Sequence, residues 1–148
     1  MNPIVASLFL FPALASAQVE TRTLTSEQVA RLELPWAKVC ATAVEDPEDI
    51  SLIALLANPE KYEGKAVRVI GYYRSGFEQS ALYLNPSDYE HDVWGNGIWI
   101  ESDGDIPTTA GYLLVSGIFT RSNRGHLGAY QGAICNLSEA SPWPGHEH

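Results

Sequence analysis

A stretch with a two-residue period, residues 66–74, constrains the fold of this chain more than any other segment. One face of the stretch carries Val67, Val69, Gly71 and Tyr73, and the other carries Arg68, Ile70, Tyr72 and Arg74. A period of two is that of a half-buried β-strand, whose side chains point alternately to opposite faces. A Pro-initiated turn and a Gly-Lys pair precede it within residues 58–65. The pattern predicts the first strand of a small β-barrel.

Four further segments have strand character and are separated by turn residues. They cover residues 81–84, 98–101, 112–120 and a last segment that begins at 126 or 127 and ends at 137. The first and fourth strands each contain a central glycine, and glycine kinks allow the strands of a small closed barrel to turn corners. Helices are predicted over residues 50–57 and for one turn after the second strand. The predicted fold class is therefore mainly β: a five-stranded barrel with an N-terminal helical arm and short helices.

The first seventeen residues have the pattern of a signal peptide. An apolar run from Pro3 to Leu14 is followed by Ala15-Ser16-Ala17, small residues of the kind that a signal peptidase recognises. The run is shorter than the about 20 apolar residues that a stable transmembrane helix needs. We predict a signal peptide over residues 1–17 and a periplasmic or secreted location, with no membrane anchor. The alternative is a buried N-terminal helix.

The rest of the chain is predicted to form one domain with two appendages. Residues 18–49 form an N-terminal arm with a helix that begins near Thr25, residues 50–138 form the barrel domain, and residues 139–148 form a flexible tail. The two cysteines, Cys40 and Cys135, lie in the arm and in the last strand. An exported chain meets an oxidising compartment, so we predict a disulfide between them, with two buried free thiols as the alternative.

The formal net charge of −9 excludes one class of partner. Phosphate backbones and anionic membrane surfaces are bound chiefly through clusters of Lys and Arg, and a chain this acidic repels them at long range. We therefore expect no nucleic-acid partner.

Several short motifs resemble those of a known fold family. They are G-K-x-V-x-V-x-G at residues 64–71, L-Y-L at 82–84, L-V-S-G-x-F at 114–119 and G-H-L-G-x-Y-x-G-x-I at 125–134. Together they are similar to small exported OB-fold-like domains of bacterial proteins with unassigned function. The resemblance implies a five-stranded barrel that binds its ligand on the face of its second and third strands. The order of helices differs from that family. An OB barrel normally has its helix between strands three and four, whereas the clearest predicted helices of this chain precede the first strand and follow the second.

Alternation along the strands predicts one candidate binding face. The side chains expected inside the barrel are Val67, Val69, Leu82, Leu84, Ile98 and Ile100. The side chains then expected outside, on neighbouring strands, are Arg68, Tyr72, Arg74, Tyr83 and Trp99. Three aromatic rings beside two arginines form a platform for stacking and cation–π contacts. The alternative is that the arm or the tail covers this face, with Trp36 or Trp143 packed on it.

No motif for catalysis, for a metal or for a cofactor is evident, so none of these is predicted. The four histidines lack the three or four fixed donors of a metal site, and no G-x-S-x-G motif is present. Acidic residues do gather around the third strand: Asp88, Glu90, Asp92, Glu101, Asp103 and Asp105. We predict a non-enzymatic binding module for a protein or small ligand. The alternatives are a hydrolase that uses these acids and an immunity-type inhibitor of a basic partner.

Overall fold

The computed structural model describes residues 34–145, so the predicted signal peptide and the predicted helix near Thr25 lie outside the described residues. The helices are α1 (Ala37–Cys40), α2 (Leu52–Ala57), α3 (Pro59–Tyr62) and α4 (Pro86–Glu90), with 3₁₀ turns at Trp94–Asn96 and His126–Gly128. The strands are β1 (Glu48–Asp49), β2 (Ala66–Gly76), β3 (Gln79–Tyr83), β4 (Gly97–Ile100), β5 (Ala110–Thr120) and β6 (Ala133–Pro142).

Five of the strands close into a barrel. The sheet runs in the order β1-β2-β3-β4-β6-β5, and an additional pairing of β2 with β5 completes the ring. The antiparallel β2–β5 ladder extends over all of residues 66–74 of β2. The parallel β4–β6 pairing is short and reaches only Trp99↔Ala133 and Ile100↔Ile134. The predicted mainly β fold with a five-stranded barrel is confirmed, and the closed barrel is consistent with an OB-like fold.

The barrel interior contains the apolar side chains that alternation placed there. Val67, Val69, Leu82 and Ile98 are fully buried, and Ile100 is nearly so. Leu84 is half-buried and packs against the edge of the same core. Helix α2 begins at the N-cap Ser51, whose side chain accepts a hydrogen bond from the backbone N–H of Ala54, and it contributes Leu52 and Leu55 to the core.

The two central glycines allow close packing around the barrel. A Cβ atom at Gly71 would lie 3.0 Å from Cδ2 of Leu52, so the glycine lets α2 approach strand β2. A Cβ atom at Gly117 would lie 2.7 Å from the carbonyl oxygen of Cys135, at the point where the β5–β6 register shifts. A side chain at Gly117 would therefore push the last two strands apart.

Three local predictions were wrong. The last strand, predicted to begin at residue 126 or 127, begins at Ala133, after a 3₁₀ turn at His126–Gly128. Residues 139–142, predicted as the start of a flexible tail, belong to β6 and pair with β5 as far as Leu113↔Pro142. The predicted turn after residue 58 contains a short helix, α3, with Pro59 at its first position, where the missing N–H is not needed.

The predicted disulfide is confirmed and joins the arm to the barrel. Cys40 at the end of α1 is bonded to Cys135 in β6, with a Cα–Cα distance of 5.5 Å. The side-chain amide of Asn136 donates a 2.8 Å hydrogen bond to the carbonyl of Thr42, which forms a second connection close by. The described part of the arm is thus held against the last strand.

Candidate functional site

The outer face of β3 and β4, called here the covered face, carries Tyr83 and Trp99. Two aromatic rings from other elements pack on it, Tyr89 of α4 and Tyr130 of the segment before β6. Ring centroids lie 5.9 Å apart for Tyr83 and Tyr89, 6.3 Å for Tyr83 and Tyr130, and 5.4 Å for Trp99 and Tyr130. Tyr83 is fully buried as a result, and Trp99 is half-buried.

The polar atoms of Tyr83 are satisfied within the protein. Its hydroxyl group lies 3.0 Å from the hydroxyl of Tyr130 and accepts a 2.8 Å hydrogen bond from the side chain of Gln79. Burial, followed by the hydrogen bond to Tyr130, raises the pKa of Tyr83 above its ordinary value.

The indole of Trp99 is held in the same way. Its Nε1–H donates a 3.1 Å hydrogen bond to Oε2 of Glu101, and the same oxygen accepts one of 3.0 Å from the side chain of Asn123. Gly125 lies directly on the indole, because a Cβ atom there would be 2.6 Å from the ring. The predicted exposure of Tyr83 is therefore wrong, and among residues 34–145 the cover is formed by α4 and the β5–β6 connection.

The outer face of β2 and β5, called here the open face, does present aromatic and apolar side chains. Tyr72 and Tyr112 are direct cross-strand partners with ring centroids 5.6 Å apart in an edge-to-face arrangement. Ile70 lies opposite Leu114, two residues from Tyr72 and Tyr112 along the same two strands and therefore on the same face. Tyr112 is 43% exposed and Ile70 37%. The backbone N–H of Trp143, a 40% exposed residue, donates to the carbonyl of Tyr112, so Trp143 lies opposite Tyr112 just beyond the end of β6.

The predicted arginines lie at the two ends of the open face. The guanidinium of Arg74 is 4.4 Å from the centroid of the Tyr89 ring, and its Nη2 donates a 3.2 Å hydrogen bond to the Tyr89 hydroxyl. That hydrogen bond is the main cause of a raised Arg74 pKa, while burial acts in the opposite direction. At the other end, Nη1 of Arg68 lies 3.4 Å from Oδ1 of Asp49, and its Nε lies 3.6 Å from Oε2 of Glu139. The structure thus places Tyr72 and Arg74 beside the covered face, because Tyr72 is the direct cross-strand partner of Tyr83 and Arg74 contacts the Tyr89 ring that packs on Tyr83. Arg68 lies at the other end of the same face of β2.

A small cleft adjoins the open face beside Arg68. Its volume is about 460 Å³, within the range of about 300–1,000 Å³ that is usual for ligand pockets. Apolar side chains dominate its lining: Leu52 and Ile53 of α2, Ile70, Leu84 and Leu114. Ile53 is 66% exposed, so the mouth of the cleft is apolar as well. An apolar group of a ligand on the open face would fit here.

The acidic residues near β4 have different surroundings. The Asp88 carboxylate accepts hydrogen bonds from the side chains of Asn85 and Asn96, which fix the start of α4 and the turn after it. Glu101, Asp103 and Asp105 instead line a larger groove of about 980 Å³. Within residues 34–145, no group of three or more His, Cys, Asp or Glu side chains is placed to hold a metal ion.

Comparisons with known proteins do not extend this description: no family model, curated protein or solved structure matches the chain. Among the helices of the described region, none has the length and apolar character needed to cross a membrane.

The sequence prediction missed Tyr112 and Trp143 as members of the site. Tyr112 alternates with the buried Leu113, so its outward direction was available from the pattern. The pattern does not show that β5 is the neighbour of β2, and only that pairing places Tyr112 beside Tyr72.

Proposed function

We propose that the protein is an exported, non-enzymatic binding module that holds a protein or small ligand on its open face. The observation that carries this proposal is the row of exposed or half-buried rings formed by Tyr72, Tyr112 and Trp143 across neighbouring strands, outside a barrel whose core is already complete.

Physical chemistry favours such a row as a binding surface. Aromatic side chains offer a large contact area with few rotatable bonds, and Tyr, Trp and Arg are enriched among the residues that dominate binding energy. Ile70 and Leu114 continue the apolar area toward the cleft beside α2. The ion pairs of Arg68 at one end form a polar rim, which is the usual border of an interface.

Two features support the exported and OB-like parts of the proposal. The disulfide suits an oxidising compartment, and it accompanies the apolar segment and small residues of the first seventeen positions. The closed five-stranded barrel agrees with the resemblance to small exported bacterial OB-fold-like domains. The covered face corresponds to the second and third barrel strands, where OB-folds usually bind, so we assign binding to the open face, which adjoins the covered face where Tyr72 pairs with Tyr83.

The test compares two alanine variants of the open face with a matched control. Tyr72→Ala and Tyr112→Ala remove rings from the face, whereas Phe77→Ala removes a 93% exposed ring from the tip of the β2–β3 hairpin. Each purified protein is used to capture partners from an extract of its own source, and the captured molecule is then purified for titration.

We expect the two tyrosine variants to bind the purified partner at least about tenfold more weakly, because a residue at the centre of an interface commonly contributes more than 1.4 kcal/mol. Phe77→Ala should bind like the unchanged protein. Equal binding by all three variants would refute the assignment of the open face.

A further inference from the structure

A second surface opens where strands β4 and β6 separate. Their pairing ends at Ile100 and Ile134. Beyond this point, residues 101–106 and residues 135–140 line opposite parts of the 980 Å³ groove, called here the fork, and residues of α1 complete the lining. The fork is at the upper end of the range of about 300–1,000 Å³ for ligand pockets.

Within the described residues, β6 is paired along the fork on one side only. Strand β5 accompanies it to Pro142, and the N–H of Trp143 donates a 2.8 Å hydrogen bond to the carbonyl of Tyr112. Residues of an antiparallel ladder alternate between hydrogen-bonded and non-hydrogen-bonded pairs. Since Trp143 belongs to a hydrogen-bonded pair, the N–H and C=O groups of Ala140 point away from β5, and Ala140 lines the fork.

The lining of the fork is acidic. Among the described residues it includes Glu101, Asp103, Asp105 and Glu139 and no Lys or Arg, and Glu139 is ion-paired with Arg68 of the open face. The chain as a whole has a net charge of −9. A ligand with cationic side chains would therefore be favoured at long range by the net charge, and in contact by the exposed carboxylate of Asp105.

We propose that the fork is an interaction surface at which an extended, basic peptide segment of a partner protein pairs with β6 as an added strand. Strand addition uses the backbone groups of a free sheet edge for affinity and the neighbouring side-chain pockets for specificity. Residues 137–140 span about 13 Å as a strand, which is enough for about four residues of the partner. Asn136 limits the edge at its near end, because it has φ 48° and its side chain is bonded to the carbonyl of Thr42. Pro142 lacks an N–H and limits the edge at its far end.

The test uses the purified, oxidised protein and two labelled hexapeptides, Lys-Val-Lys-Val-Lys-Val and its counterpart with Glu in place of Lys. We expect the basic peptide to raise the fluorescence polarisation and the acidic one not to. Bound basic peptide should also slow hydrogen exchange at the Ala140 amide, since that group gains a hydrogen-bond partner.

Three variants separate strand addition from nonspecific attraction. Asp105→Lys should weaken binding of the basic peptide by about tenfold. Glu90→Lys makes the same charge change at an exposed residue of α4, outside the fork, and should leave binding nearly unchanged. Ala140→Pro removes the N–H that points into the fork and should abolish binding while circular dichroism shows an intact fold.

The proposal is overturned if the basic peptide does not bind, or if Asp105→Lys and Glu90→Lys weaken it equally. It is also overturned if the Ala140 amide is already protected without peptide. Protection that does not change with protein concentration would identify another segment of the same chain as the occupant, and protection that increases with concentration would identify a second copy. Tyr112→Ala should leave peptide binding unchanged, so failure here is distinguishable from failure of the open face.

Discussion

Gly125 is the residue at which a single added methyl group should do most damage to the covered face. Its backbone angles are φ 62° and ψ −158°, a combination that is populated almost entirely by glycine. A Cβ atom at this position would also lie 2.6 Å from Cδ2 and Cε3 of the Trp99 ring. Gly125→Ala therefore imposes backbone strain and a steric clash together.

The expected loss follows from these two terms. Backbone strain of this kind costs about 1–3 kcal/mol and overpacking a filled site costs about 1–3 kcal/mol, so Gly125→Ala should lower the free energy of unfolding by about 2–6 kcal/mol. The free energy of unfolding of a small domain is typically about 5–15 kcal/mol in total. Equilibrium urea denaturation followed by tryptophan fluorescence measures the difference.

Two other glycines separate the contributions. Gly128 has φ 67° but nothing within 4 Å of an added Cβ, so Gly128→Ala should cost only the backbone term of about 1–2 kcal/mol. Gly104 has neither feature, since its nearest neighbour to an added Cβ is Oγ of Ser102 at 4.0 Å, and Gly104→Ala should change stability by less than about 0.5 kcal/mol. If Gly125→Ala loses no more unfolding free energy than Gly128→Ala, the Trp99 ring moves aside at no cost, and the predicted steric term is refuted.

Three further predictions concern stability. Replacing Cys40 and Cys135 together by Ser should cost about 5 kcal/mol of unfolding free energy, from the chain entropy of a crosslink with a sequence separation of 95, as measured by urea denaturation. Because the pKa of Tyr83 is raised in the folded state, the unfolded chain releases this proton first. The contribution of Tyr83 to the free energy of unfolding is therefore complete below about pH 10 and should fall by about 1.4 kcal/mol per pH unit above it. In Tyr83→Phe, the decrease of the free energy of unfolding with pH should be smaller by the amount that one proton contributes. Leu55→Ala should cost about 2–5 kcal/mol because Leu55 is fully buried, whereas Ile53→Ala in the same helix, at a 66% exposed position, should cost less than about 1 kcal/mol.

Local pattern was sufficient to locate the first four barrel strands and their inner faces, but it misplaced both ends of the last strand, which covers Ala133–Pro142. Successive side chains of a strand point to opposite sides whatever the rest of the chain does, so alternation identified Val67, Leu82 and Ile98 as core residues. The disulfide was equally accessible, because two cysteines allow only one pairing within the chain.

The outer faces required information that local pattern lacks. Tyr83 points outward from its strand as predicted, but its exposure depends on Tyr89 and Tyr130, which reach it from distant parts of the chain. Residues 139–142 have weak strand character, and the β5 ladder alone extends β6 through them. Burial of an outer face and the length of a last strand are thus set by tertiary contacts.

The position of Cys135 in the last strand has a consequence for the order of folding. Its partner Cys40 precedes every barrel strand, so no native pairing can hold the two sulfur atoms together until synthesis has passed residue 135 and β6 has docked on β5. We expect the bond to form late and to secure a finished barrel rather than to guide its assembly. An oxidoreductase that acted on this chain would then meet a nearly native substrate, and the yield of crosslinked protein would report how many molecules had completed their barrel.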